Sequence, residues 1–161
     1  AEIMLIVTKE RFLLKAFTEK GLTLSAAESC TGGLIAHRVT NISGSSTYFL
    51  GGIVSYSNDA KERLLGVPHE MLVAHGAVSE PVARAMAEGA RRVFGTNYAG
   101  GVTGIAGPTG GTPEKPVGLV YIAIAGPHDT IIAKRFFTGS RESIKEQTAD
   151  TALTLLLEQL T

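Results

Sequence analysis

The chain has 161 residues, in which 15 lysines and arginines balance 15 acidic residues. This length suits one domain with one core, and neither the balanced charge nor the 6% of aromatic residues fits a nucleic-acid-binding surface. The single cysteine excludes an internal disulfide and is typical of a reducing compartment.

Residues 1–20 combine an apolar start with charged positions, and they predict a helix. The apolar side chains with helical spacing are Ile3, Ile6, Val7, Leu14 and Phe17. Gly21 follows in the position of a C-terminal helix cap. The apolar run at residues 3–7 is too short to cross a bilayer, and no signal-peptide cleavage pattern follows it. We therefore expect a single cytoplasmic domain over residues 1–161, with no membrane or nucleic-acid partner.

A polar turn joins the next two predicted elements. Residues 22–27 predict a buried strand, and the apolar spacing after the turn predicts a helix that ends near Asn41. The turn itself consists of Ser29, Cys30, Thr31, Gly32 and Gly33. A turn at a helix start presents backbone N–H groups to an anion, and glycines let a ligand approach the backbone closely. The alternative is a simple N-terminal helix cap, for which serine and threonine are favoured.

The second strand and its following helix carry a further polar cluster. Residues 48–56 predict the strand, in which Gly51 and Gly52 indicate a bulge or a close backbone approach. A short helix follows through Leu65 and carries Lys61 in its first turn. The strand therefore ends in a segment that contains Tyr56 and Asn58.

The remaining elements alternate in the same way. Pro68 opens a short helix to about residue 75, and Ser79 begins a helix over residues 80–94. The side chains that this helix is expected to bury are Val82, Met86, Ala90 and Val93. The later elements are a strand over 98–105, a glycine-rich loop over 106–118, a hairpin of strands 119–125 and 130–137, and a helix over 140–160.

This order of elements predicts a single three-layer α/β/α domain with a mixed, mostly parallel sheet of about five strands. Ligands of such sheets bind beyond the carboxyl ends of the strands. The Ser29 turn, the Tyr56 segment and the glycine-rich loop all follow strand ends, so we expect them to meet in one site.

Ser29 and Lys61 are candidates for a nucleophile and its base. A lysine can accept the proton of a serine only if burial lowers its pKa toward neutrality. Three alternatives stay open: Lys61 as a solvated surface charge, Tyr56 as a packing residue at a strand end, and Cys30 as the nucleophile in place of Ser29.

The glycine-rich loop is a candidate phosphate-binding element. Residues 103–112, which include Thr103, Gly104 and Gly107, offer backbone N–H groups, but they match neither a Walker loop nor a dinucleotide fingerprint. Arg141 is an unusual cation at a helix start, where a bound anion or a surface ion pair would explain it. The four histidines show no metal-ligand spacing, so no metal site is expected.

The sequence resembles the CinA C-terminal domain family, whose enzyme members are nicotinamide-nucleotide amidohydrolases. The similarity runs from about residue 12 to the C-terminus. The matching blocks are residues 27–33, 51–58 with Lys61, 76–79, 103–108 and 115–118.

The resemblance implies hydrolysis of the carboxamide of nicotinamide mononucleotide, giving nicotinate mononucleotide and ammonia without a metal or cofactor. It implies Ser29 as nucleophile, Lys61 as base and Tyr56 in an assisting role, with Thr103 and Arg141 in the pocket. It also implies a homo-oligomer, a dimer or larger. The full set of expected substrate-binding residues is Cys30, Thr31, Gly32, Gly33, Asn58, Thr103, Gly104, Gly107 and Arg141.

Two other functions remain open on the sequence alone. One is a non-catalytic module that binds a nucleotide or phosphate through the serine turn and the glycine-rich loop. The other is an amidase that acts on a different small amide.

Overall fold

The computed structural model describes residues 8–161, in which three consecutive helices separate the second and third strands and a last helix follows the final hairpin. The helices are α1 Lys9–Lys20, α2 Leu34–Thr40, α3 Asn58–Leu65, α4 His69–His75, α5 Glu80–Phe94 and α6 Arg141–Leu160. The strands are β1 Leu24–Glu28, β2 Phe49–Val54, β3 Tyr98–Gly104, β4 Leu119–Ala125 and β5 Thr130–Phe136. A short 3₁₀ turn, Ser45–Thr47, precedes β2.

The five strands form one mixed sheet in the order β2-β1-β3-β4-β5. Strand β1 is parallel to both β2 and β3, whereas the β3–β4 and β4–β5 pairs are antiparallel. Only β4 therefore runs against the other strands, as a mixed and mostly parallel sheet requires. The predicted bulge lies in β2, where Leu24 pairs with Phe49 but the next residue, Ser25, pairs with Gly51.

Helices cover both faces of the sheet, which confirms the three-layer α/β/α prediction. Helices α1, α2 and α6 pack on one face, around a core that includes Phe17, Ile122 and Leu156. Helix α5 crosses the other face, with α3 and α4 packed against it. None of the helices in residues 8–161 has both the length and the apolar character that crossing a bilayer demands.

The start and end of α5 show how local signals set these elements. Pro81 lies in its first turn and Gly95 caps its C-terminus with a φ of 66°, a left-handed conformation that suits glycine. The hydroxyl of Ser79 does not cap the helix but donates to the carbonyl of Gly76. The prediction that Val93 is buried is wrong, because its side chain is 55% exposed. Phe94 is the residue of that turn that packs against β2, at Gly51.

The other differences from the predicted elements are small shifts of their ends. Strand β1 begins later than predicted and includes Glu28, and β2 is shorter at both ends. Strands β3 and β5 each end one residue early, because Ile105 and Phe137 bond to the loop instead of continuing their strand. Gly21 caps α1 as predicted. The predicted apolar positions Ile3, Ile6 and Val7 lie outside the described residues.

Candidate active site

A cavity of about 380 Å³ lies at the carboxyl ends of β1, β2 and β3. The three polar segments predicted to meet do so here. The lining residues are Ser29, Cys30, Tyr56, Asn58, Lys61, Ala77, Val78, Thr103, Gly104, Ile105, Ala106, Gly107, Thr109, Gly110 and Arg141. No Asp or Glu side chain is among them. The described residues that line the cavity are therefore basic or neutral.

Lys61 reaches from the first turn of α3 to the turn after β1. Its Nζ atom donates a hydrogen bond of 2.9 Å to Ser29 Oγ and another of 2.8 Å to the carbonyl oxygen of Ser55. A third, longer bond of 3.4 Å reaches the carbonyl of Tyr56. Lys61 is only 1% exposed, so the alternative of a solvated surface charge is wrong.

The surroundings of Lys61 favour its neutral form. Burial lowers the pKa of Lys61 from its ordinary value, because an ammonium group loses hydration in a buried site. The adjacent Cys30 side chain has a smaller effect and raises that pKa. The two carbonyls can only accept, so a neutral amine would give them its two N–H groups and offer its lone pair to the hydroxyl of Ser29. This arrangement is the one a serine nucleophile and its base require.

A buried carboxylate occupies the start of α2. Glu28 is 1% exposed and accepts hydrogen bonds from the Thr31 hydroxyl at 2.6 Å, from Ile35 N at 2.9 Å and from Ala36 N at 3.1 Å. The N–H groups of this helix start, which we expected to bind a ligand anion, are therefore partly taken by the protein itself. The signal in the sequence for this contact is Glu28 itself, because it is an acidic residue shortly before a predicted helix start.

Three predicted binding residues do not line the cavity. Thr31 is buried with its hydroxyl on Glu28. Gly32 and Gly33 have φ values of 60° and 105°, and they form the turn that leads into α2. The left-handed conformation of this turn explains both glycines without a ligand.

Cys30 lines the cavity but is an unsuitable nucleophile. Burial raises the pKa of its thiol to about 12, with a smaller contribution from the nearby Glu28. The thiolate is the reactive form of cysteine, so a thiol with this pKa is unreactive near neutral pH.

Arg141 links two sides of the cavity mouth. Its Nη1 donates to the carbonyl of Gly107 at 2.7 Å, and its Nη2 donates to the Tyr56 hydroxyl at 3.1 Å. These contacts explain a cation at the start of α6. Tyr56 is 64% exposed, and among residues 8–161 its hydroxyl has no hydrogen bond to Ser29 or Lys61.

The glycine-rich loop forms the wall opposite the serine turn. The hydroxyl of Thr103 donates to the carbonyl of Ala77 at 2.9 Å, which ties the end of β3 to the segment before α5. Within the described part of the chain, the N–H groups of Gly107, Thr109 and Gly110 have no acceptor. These groups, together with Arg141, form the part of the cavity that best suits a phosphate.

Two parts of the lining were not in the predicted site. One part is Ala77 and Val78, from the segment before α5, and the other comes from the glycine-rich loop and its start and consists of Ile105, Ala106, Thr109 and Gly110. The glycine-rich loop is predicted as a phosphate-binding element and residues 76–79 enter only through the resemblance, but the apolar side chains among them carry no chemical signal that would mark those residues individually. Over residues 8–161, no three His, Cys, Asp or Glu side chains gather as a metal-ligand set.

Comparison with known sequences identifies similar proteins over nearly the whole chain. The family model described as the CinA C-terminal domain matches residues 7–160. A CinA-like protein of Geobacter sulfurreducens is 54% identical over 153 residues, which are 95% of this chain and 37% of that protein. A CinA-like protein of Anaeromyxobacter sp. strain K is 55% identical over 137 residues, 85% of this chain and 34% of that protein. The chain thus spans about a third of the length of these curated relatives.

Solved structures of similar length share the fold. The competence/damage inducible protein CihA from Agrobacterium tumefaciens is 42% identical, with a TM-score of 0.93 over 99% of this chain and 100% of that one. The competence damage-inducible protein A from Klebsiella pneumoniae is 32% identical, with a TM-score of 0.92 over 94% of each chain.

Proposed function

The chain belongs to the CinA C-terminal domain family, and from that premise we propose that it hydrolyses the carboxamide of nicotinamide mononucleotide to nicotinate mononucleotide and ammonia. The observation that carries the proposal is the buried hydrogen bond between Lys61 and Ser29. Burying a lysine amine against a serine hydroxyl lowers the stability of the fold. A module that only binds a nucleotide has no use for that arrangement.

In the first half of the reaction, Ser29 Oγ attacks the carboxamide carbon while its proton passes to the neutral amine of Lys61. The resulting oxyanion needs hydrogen-bond donors. The N–H groups of Cys30 and Thr31 are candidates, because within residues 8–161 neither donates to a backbone carbonyl. Lys61 then gives its proton to the leaving nitrogen, the C–N bond breaks, and ammonia departs from an ester on Ser29.

In the second half, the same groups act on water. Lys61 takes a proton from a water molecule, whose oxygen attacks the ester carbon. The bond to Ser29 Oγ breaks, the proton returns from Lys61 to the serine, and the product forms as a carboxylic acid, which loses its proton to solvent and leaves as a carboxylate. Lys61 accepts a proton and then gives it up in each half of the reaction, so no other side chain needs to carry a proton.

The substrate's phosphate would bind at the other end of the cavity. Arg141 and the loop N–H groups of Gly107, Thr109 and Gly110 supply a charge and directed donors. The absence of Asp and Glu from the lining favours a ligand with net negative charge. Tyr56 acts in this proposal through its hydroxyl on Arg141, which it holds at the cavity mouth.

A panel of amides tests the proposal against its two alternatives. Ammonia release would be measured with nicotinamide mononucleotide, nicotinamide riboside, nicotinamide and an unrelated small amide such as glutamine. We expect the mononucleotide to be much the best substrate, because binding of the remote phosphate positions the amide. Calorimetric binding of the mononucleotide without ammonia release would indicate the non-catalytic module. Preference for another amide would indicate the second alternative.

An oligomeric assembly and a cytoplasmic location stay predictions. Light scattering coupled to size-exclusion chromatography would test the first, and fractionation of cells would test the second.

A further inference from the structure

Glu28 has an unusual position for a carboxylate, because it is buried directly beside the candidate nucleophile without lining the cavity. Its carboxylate accepts hydrogen bonds from three donors, which are the hydroxyl of Thr31 and the backbone N–H groups of Ile35 and Ala36. The donors belong to the turn after Ser29 and to the first turn of α2. The carboxylate therefore ties that turn to the helix start.

The main chain of Glu28 contacts the other half of the candidate machinery. Its carbonyl oxygen accepts from the N–H of Ser55 at 2.8 Å and from the Ser55 hydroxyl at 3.2 Å. The carbonyl of Ser55 in turn accepts from Lys61 Nζ at 2.8 Å. One residue thus connects to the nucleophile's turn through its side chain and to the base through its main chain.

We propose that Glu28 is a positioning residue, which acts through the Thr31 hydroxyl to fix the turn that carries Ser29 Oγ and the N–H groups of Cys30 and Thr31. The proposal rests on the proposed amide hydrolysis by Ser29. The turn has one backbone bond of its own, from Gly32 N to Ser29 O at 3.1 Å. The helix start adds a bond from Leu34 N to Thr31 O, also at 3.1 Å. The two glycines of the turn add no side-chain constraint, so within residues 8–161 the side-chain restraints on its shape are the contact of Thr31 with Glu28 and that of Lys61 with Ser29.

The geometry predicts an effect on kcat and little effect on KM. The side chains of Glu28 and Thr31 bond to each other and do not line the cavity, so neither side chain contributes to binding of the ground-state substrate. A small displacement of oxyanion donors or nucleophile acts only on the transition state, and a shift near 1 Å costs on the order of 100-fold in rate.

The variants separate the hydroxyl from the volume of the side chain. Thr31→Val removes the hydroxyl and keeps the shape, and we expect kcat to fall about 10- to 100-fold with KM little changed. Thr31→Ser keeps the hydroxyl and should stay close to wild type in kcat. The matched control is Thr96→Val, which removes another buried hydroxyl contact, to Ser25 at the opposite end of β1. It should lower stability without changing kcat.

A double-mutant cycle with Glu28→Gln tests whether the two residues act as one unit. If Thr31 acts through Glu28, the double variant should lose no more kcat than the worse single variant. Additive losses would contradict the proposal. So would a folded Thr31→Val variant with wild-type kcat, or a Thr31→Ser variant as slow as Thr31→Val. Circular dichroism and urea unfolding identify which variants are folded.

A second readout keeps this proposal distinct from the proposed substrate. A fluorophosphonate reacts with an activated serine: Ser29 Oγ forms a bond to phosphorus, fluoride leaves, and the serine proton passes to Lys61. Its rate should fall in Thr31→Val and recover in Thr31→Ser, whatever the natural amide is. If the wild-type protein reacts with the probe but does not hydrolyse nicotinamide mononucleotide, the proposed substrate is wrong. The positioning role of Glu28 is then judged from the rates of the probe reaction alone. If wild type reacts with neither, both proposals fail.

Discussion

The Nζ atom of Lys61 lies 2.9 Å from the Oγ atom of Ser29, although the two residues are 32 positions apart in the sequence. The parallel pairing of β1 with β2 makes this contact possible, because both strands end at the same edge of the sheet. Ser29 follows the end of β1, and Lys61 lies in the helix that follows β2.

The base role of Lys61 is tested by a substitution that keeps the positive charge and removes the ability to lose a proton. Lys61→Arg keeps a cation that cannot give up its proton, so we expect it to be nearly as inactive as Lys61→Ala, with kcat/KM lowered about 10²- to 10⁴-fold. The control is Lys15→Ala, at an exposed position of α1. Substantial activity in Lys61→Arg would mean that the lysine acts only by its charge.

The pH dependence of kcat/KM reports the same group. Only the neutral amine accepts a proton, so activity should be low when Lys61 is protonated and rise as the pH passes its pKa. Burial lowers that pKa, so the midpoint of the rise should lie below the ordinary lysine value of about 10.4. The profile would be measured on free enzyme at low substrate concentration. A midpoint at or above the ordinary value would argue against a buried neutral base.

Arg141→Ala tests the phosphate end of the cavity. Loss of one charge-assisted contact, worth roughly 1.5–3 kcal/mol, should raise KM for the mononucleotide by about 10- to 100-fold and affect kcat less. For nicotinamide, which has no phosphate, the same substitution should change little. Arg135→Ala, an exposed arginine of β5, is the control. An equal loss with both substrates would assign Arg141 to the shape of the mouth instead.

Much of the fold was predictable because its signals are local. Residues 80–94 and 119–125 match α5 and β4, since the serine, proline and glycine positions and the apolar runs mark their ends. The burial of Lys61 was not predictable, because nothing near it in the sequence shows that its amine meets the segments that follow β1 and β2. The Thr31 hydroxyl was similarly ambiguous, since a threonine at a helix start suits a ligand as well as a neighbouring carboxylate.

Helix α5 also contains a glycine whose role only the tertiary structure reveals. A Cβ atom at Gly89 would lie 2.2 Å from the carbonyl oxygen of Leu65, at the end of α3. Alanine normally stabilises a helix interior relative to glycine by about 1 kcal/mol. Here we expect Gly89→Ala to lower the free energy of unfolding by about 1–3 kcal/mol, because α3 must move away. Urea unfolding measures this, and an unchanged or higher stability would show that the two helices are not so closely packed.

The most direct test of the central claim compares Ser29→Ala with Cys30→Ala in ammonia release from nicotinamide mononucleotide. Ser46→Ala, an exposed serine, serves as the matched control. We predict that Ser29→Ala abolishes ammonia release while the fold and much of the substrate binding remain. Cys30→Ala and Ser46→Ala should keep most of the activity. Near wild-type turnover in Ser29→Ala, with loss of activity in Cys30→Ala, would contradict the assignment of Ser29 as the nucleophile.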